Sequence, residues 1–285
     1  MYPSPTPIVR YLLIINAIVF AVLVLPSQFG IDSPLDFLNE QFMLVYFTHP
    51  DFQPFQLITH FFHHADLSHI FFNMLILYFF GPALEQRLGG KRFLLLYLVA
   101  AAGAVALHTS EIWWQVSTSE QALAAFNAEP TLNNFKAFFD GANFAGLSIY
   151  GIDVSDIVGQ IENNLVLADD PSKVWTEALD IMTRYAGRQE ASRMLGASGA
   201  ISGVMAAYAV FNPWQKLQLL FIPVPIAAVY MIGGIFALDL FMGVMDYSFD
   251  TTARFAHLGG GVAGALLAFY FKKTTTEGGD IKRWN

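Results

Sequence analysis

Apolar stretches long enough to cross a lipid bilayer recur along this chain, and they settle its solvent before any other feature is weighed. A helix that spans the hydrocarbon layer needs ~20 mostly apolar residues. Arg10 is followed by YLLIINAIVFAVLVLP, His69 opens HIFFNMLILYFFGPAL, and Phe93 opens FLLLYLVAAAGAVALH. We read six spans, at about 8–26, 66–84, 91–108, from Ser198 to Asn212-Pro213, 217–242 and 253–271. Charged residues make up 13% of the chain, against ~25% in soluble domains. The lipid bilayer is therefore the first expected partner.

The first run resembles a signal peptide in its charged start and apolar core. No small-x-small cleavage site follows, and further spans come later, so it reads as a retained span. The chain has no cysteine, which excludes a disulfide framework, Cys-ligated zinc and thiol catalysis. The net charge of −8 sits between the apolar runs, so nucleic acid is not an expected partner.

Lysine and arginine orient the spans. One side receives Arg10, Arg87, Lys91, Arg92, Lys216, Lys272, Lys273, Lys282 and Arg283, whereas the short loops of the other hold only Arg254. Both termini are expected in the cytoplasm, with 272–285 as a cytoplasmic tail. Residues 109–194 carry twelve acidic and five basic residues and separate spans 1–3 (1–108) from spans 4–6 (195–271). Asp170-Pro171 reads as an N-cap and first helical residue. Val174, Ala178, Met182 and Tyr185 then recur at helical spacing. Asp153 is a candidate cap for a helix over VSDIVGQIENNLVL. The expected fold is all-α: a polytopic membrane protein of six transmembrane helices with a helical extracytoplasmic insertion.

Polar residues enter these spans from one side. Ser198 heads the fourth, in LGASGAISG; His257 lies one turn into the sixth; His69 and Asn73 lie in the first turns of the second. Even-numbered spans all start from the outer face, so these four share a leaflet. The fourth span measures ~21 Å from Ser198 to Phe211, which leaves its top ~9 Å beneath the surface of a ~30 Å layer. Irregular backbone at that depth must be buried in protein or line a wet cavity. A serine at a helix N-terminus sits among free N–H groups that suit a developing oxyanion. A histidine at similar depth can take its proton. Gly196, Ala197 and Gly199 let a substrate backbone approach. Gly260 and Gly264 lie four apart, as do Gly199 and Gly203, which suits close helix contact, and Gly196 is counted with these packing glycines.

GASG at 196–199, His69-x-x-x-Asn73, and Ala256-His257 followed by Gly260 and Gly264 resemble the rhomboid family of intramembrane serine proteases, as does Glu85-Gln86-Arg87 before Gly89. The resemblance covers about 8–108 and 195–271. It implies a Ser–His dyad without a catalytic aspartate and without metal or cofactor: Ser198 as nucleophile, His257 as general base and then acid, and the Ser198 N–H, Asn73 and His69 as oxyanion hole. It further implies single-pass membrane proteins as substrates, cut near the outer end of a helix that unwinds easily. The location it implies is multi-pass in a bacterial cytoplasmic (inner) membrane. The chain departs from the family in three places. Ser202 stands where many members carry a tyrosine that stacks on the catalytic histidine. Leu35 to Pro54 contains neither Trp nor Arg. The insertion before the fourth span is long, and lying on the cavity side it is a candidate cover or partner-binding unit.

Other readings compete. Ser198 in isolation also suits a packing serine. His60, His63, His64 and His69 with Asp66 pose a metal question, but no HExxH occurs, and a hydrated entrance to the second span explains them better. Asp239 is an intramembrane carboxylate, a functional suspect by default; a structural or gating hydrogen bond is favoured over a role in orienting His257. Arg184, Arg188 and Arg193 suit solvated charge, or anchors for the insertion. A catalytically silent, derlin-like binder of membrane proteins is the alternative function. A small transporter is disfavoured because no internal repeat is seen.

Overall fold

The computed structural model describes residues 5–140, 148–149, 152–218, 224–245 and 252–277. The first span runs over Pro7–Gln28, with proline at its first helical position and a π-helical stretch at Phe20–Val24. That stretch ends just before Pro26, whose missing N–H breaks the regular ladder. The free N–H groups at the start of this helix are capped from a distance: Glu85 of the second helix accepts from Ile8 N and Val9 N, both at 2.9 Å, and from the Thr6 hydroxyl. An acid at a helix N-terminus satisfies orphan donors and opposes the helix dipole.

The second helix, Leu67–Leu88, is capped by Asp66, whose carboxylate accepts from His69 N at 2.9 Å. It stops at Gly89, which takes φ +78°, and the chain turns straight into the third helix. The third helix differs from expectation. It does not stop at 108 but runs unbroken over Gly90–Ala128, 39 residues, or ~58 Å. No glycine or proline follows residue 108 until Pro130, so nothing ends the helix at the lipid surface. Its far end is the first element of the insertion.

The insertion continues with helices Leu132–Asp140, Val154–Leu167 and Pro171–Glu190. Asp170 caps the last by accepting from Ser172 N at 3.0 Å. The side chain of Asp153 lies outside the described residues. Val174, Ala178, Met182 and Tyr185 face inward as their spacing predicts, against Phe126, Phe135, Phe138, Phe139, Ile157 and Ile161. This core is separate from that of the membrane bundle. Arg193–Met194 then pair antiparallel with Leu44–Val45, stitching the end of the insertion to the loop after the first span.

The fourth helix, Ser198–Phe211, is the centre of the bundle and is buried on every side from Gly199 to Ala207. It packs on the second, third, fifth and sixth helices. The fifth begins at Ala228, not at 217: Lys216–Leu217 pair instead with Ile226–Ala227, and the helix is Ala228–Met245. Pro225 lacks the N–H a helix needs and pushes Val224 before it toward extended backbone. The sixth helix is Arg254–Glu277.

Four of these helices, Pro7–Gln28, Leu67–Leu88, Gly90–Ala128 and Ala228–Met245, are long and apolar enough to span a membrane on their own. The fourth is too short. The sixth is diluted by Gly259, Gly260 and Gly261 and by His257. Ile14, Ile18, Phe72, Leu98, Phe241 and Leu266 are exposed on the bundle's outside, an apolar surface that suits lipid and not water.

A serine–histidine recess between the fourth and sixth helices

Small residues set the geometry. A methyl placed on Gly260 or Gly264 would overlap the backbone of Gly199 or Gly203, and one on Gly199 or Gly203 would overlap the Ala104 or Ala100 side chain of the third helix. The third, fourth and sixth helices therefore meet backbone to backbone, as small-residue contacts allow in lipid. Gly199 also approaches the carbonyl of Ala256. Ser198 and His257, each next to one of these contact residues, are thereby brought to the same end of two touching helices.

Gly196, grouped above with the packing glycines, has a different place. It lies ahead of the fourth helix at φ +102°, where an L side chain is strained. A Cβ there would lie 2.7 Å from His69 Nε2 and 3.8 Å from Ser198 Oγ. The turn is held from the other side by Gly196 N, which donates to the carbonyl of His60 at 2.9 Å. His69 and Ser198 thus border one space, which only a glycine leaves open.

Polar partners decide which nitrogens carry protons. Ala65 N donates to His69 Nδ1 at a long 3.5 Å, which leaves Nε2–H as the donor beside Gly196. Asn73 spends one amide hydrogen on the His69 carbonyl at 3.0 Å and keeps the other. Ala197 supplies no side-chain cap, so the first N–H groups of the fourth helix stay available. His257 Nδ1 lies 3.2 Å from Asp239 Oδ2 on the fifth helix, and Arg254 Nη1 donates to Asp239 Oδ1 at 2.7 Å. An ionised carboxylate only accepts, so His257 carries its proton on Nδ1 and presents the Nε2 lone pair. Among the described residues no hydrogen bond joins Ser198 to His257, and no aromatic ring stacks on His257. Ser202, in the position of the family's tyrosine, is buried on the fourth helix. A hydroxyl, an imidazole and spare donors at one end of the bundle form a set able to carry acyl transfer.

Asp239, for which a structural or gating hydrogen bond was favoured, bonds both Arg254 and His257. Arg254 was read only as a loop charge and not as part of the site; its signal was the spacing RFAH, which puts Arg254 and His257 on one helical face one turn apart. The histidines of the preceding loop are buried, and burial pushes His60 and His63 down to about 4 and His64 to about 3. Among the described residues no three His, Asp or Glu side chains are arranged to hold a metal ion. Arg193 pairs with Asp51 at 3.0 Å and donates to the Glu40 carbonyl at 3.2 Å, whereas Arg184 pairs with Asp180 on its own helix at 2.9 Å.

Comparison with known proteins agrees with this architecture. A family model described as the Rhomboid domain matches residues 51–112 and 141–274. RHOMBOID-like protein 12, mitochondrial, of Arabidopsis thaliana is 36% identical over 75 residues, which is 26% of this chain and 22% of that protein. The chain thus aligns with less than a quarter of the plant protein's length. The family match covers well over half of the chain, so the chain belongs to the rhomboid family and is a multi-pass membrane protein.

Proposed function

We propose that this rhomboid-family chain is an intramembrane serine endopeptidase that cleaves single-pass membrane proteins near the outer end of their helices. The observation that carries this reading is the glycine contact of Gly199 and Gly203 with Gly260 and Gly264, which seats Ser198 and His257 at one end of touching helices. Ser198 Oγ attacks the scissile carbonyl carbon while His257 Nε2 takes its proton. The oxyanion is received by Ser198 N–H, Asn73 and His69 Nε2–H. Nε2 then protonates the leaving amine as the C–N bond breaks, and water attacks the acyl-enzyme by the same route in reverse.

Water reaches Ser198 because the fourth helix, with 14 residues, ends short of the outer surface. Substrate enters between the second and fifth helices, where Ile76 and Phe80 of the one and Phe236 of the other pack on a shared apolar cluster of Met205, Ala228 and Ile232. In this reading both termini lie in the cytoplasm of a bacterial inner membrane, an orientation the Lys and Arg bias supports, and the 109–194 insertion lies outside, where it would bind partners or cover the site. Incubating the protein in liposomes with a panel of single-pass helices tests this. Wild type is expected to cut at least one member and Ser198→Ala none. Binding without cutting by wild type would favour a silent, derlin-like role instead.

A further inference from the structure

We propose that Asp239 is a positioning residue for His257, so that this chain works with an Asp239–His257–Ser198 relay and not with a dyad alone; the inference rests on the proteolytic reading above.

Three observations converge. The Asp239 side chain is 5% exposed, yet both its oxygens are used: Oδ2 lies 3.2 Å from His257 Nδ1 and Oδ1 accepts from Arg254 Nη1 at 2.7 Å. A buried carboxylate is costly unless paired, and here one oxygen is bonded by the guanidinium while the other faces the imidazole. Second, no ring stacks on His257 among the described residues, and the side chain bonded to its ring there is Asp239. The imidazole therefore takes its orientation from Asp239. Third, the fifth helix is the least embedded of the spans, with only Ala228, Ile232 and Asp239 buried. A carboxylate on such a helix is easily replaced by leucine as far as packing is concerned, so its presence there is best explained by what it touches.

The proton bookkeeping is closed. Nδ1–H stays on His257 throughout and donates to Asp239 Oδ2. Only Nε2 exchanges a proton, gaining it from Ser198 Oγ–H and passing it to the amine of the leaving segment. Asp239 is not protonated; it holds the productive tautomer and stabilises the imidazolium that forms during attack. Arg254 and His257 are the charged or titratable groups that face Asp239 among the described residues.

The test is steady-state cleavage in liposomes by wild type, Ser198→Ala, Asp239→Asn, Asp239→Glu and Arg254→Gln, with thermal unfolding of each. Asp239→Asn is expected to lower kcat by about 100- to 10,000-fold with KM within about threefold of wild type. Asp239→Glu recovers part of that loss, and Arg254→Gln loses about tenfold less than Asp239→Asn. If Asp239→Asn unfolds the protein, the double variant Asp239→Asn/Arg254→Gln, which also removes the guanidinium that bonds Asp239, carries the kcat measurement. Asp239→Asn turning over like wild type while Ser198→Ala is silent would overturn the relay and leave the protease intact. So would Arg254→Gln matching Asp239→Asn in kcat, which would make Asp239 a tether between helices. A wild type that cuts nothing overturns the proteolytic reading instead.

Discussion

Gly196 and His69 exclude any side chain between them: a Cβ at position 196 would lie 2.7 Å from His69 Nε2. The backbone there also sits at φ +102°. Gly196→Ala therefore meets strain and a clash together, at a cost on the order of 1–3 kcal/mol, and it displaces His69 from the recess. Thermal unfolding in detergent should fall and reaction with a serine-directed probe should slow. A variant with wild-type probe reactivity would show that His69 does not need that position.

The contact between the fourth and sixth helices is backbone on backbone at Gly203 and Gly264. Gly264→Val has no room to grow, and overpacking of this kind costs roughly 1–3 kcal/mol. Because the same contact seats Ser198 beside His257, activity should fall further than stability. Cleavage and melting measured on one preparation check the order of the two effects; a destabilised variant with full turnover would contradict it.

Acid should loosen the loop before the second helix. His60, His63 and His64 are held neutral at about 4, 4 and 3 by burial, whereas in the unfolded chain they take protons near pH ~6.5. Below that pH the unfolded state binds more protons, so their contribution to stability is complete above pH ~6.5 and declines as pH falls toward about 3, where it levels off. Unfolding followed from pH 8 to pH 4 should show this decline, and His64→Asn should make it shallower. A flat profile would mean that these imidazoles are hydrated in the folded protein.

The insertion has its own core, so it can lose stability independently. Phe135 is fully buried among Phe126, Phe139 and their neighbours. Phe135→Ala should remove about 3–5 kcal/mol, and limited proteolysis should then cut within 109–194 while the bundle stays whole. Arg193→Ala, which breaks only partly exposed pairs with Asp51 and Glu40, should change stability by less than ~1 kcal/mol.

What could be read in advance follows physical lines. The apolar character of the long helices, the start of the fourth helix at Ser198 and the Asp170 cap were legible because each depends on local signals: hydropathy, small residues, a capping acid. The end of the third helix was not, since the pattern of apolar residues fades at 108 while helical propensity continues to Ala128. The start of the fifth was misplaced because hydropathy ignores what Pro225 does to the backbone. The packing of Gly260 on Gly199 was legible as spacing, whereas Gly196 shares the small-residue pattern but serves a turn. Asp239 was visible as a costly intramembrane acid. Its contact with His257 depends on the relative rotation of two helices, which no single helix's pattern encodes.

The most direct measurement is intact-mass analysis of wild type and His257→Ala after treatment with a fluorophosphonate, with the modified residue located by peptide mapping. The account predicts one adduct in wild type, on Ser198, and none in the variant. No adduct on a folded wild type, or equal labelling of Ser198 without His257, would contradict it.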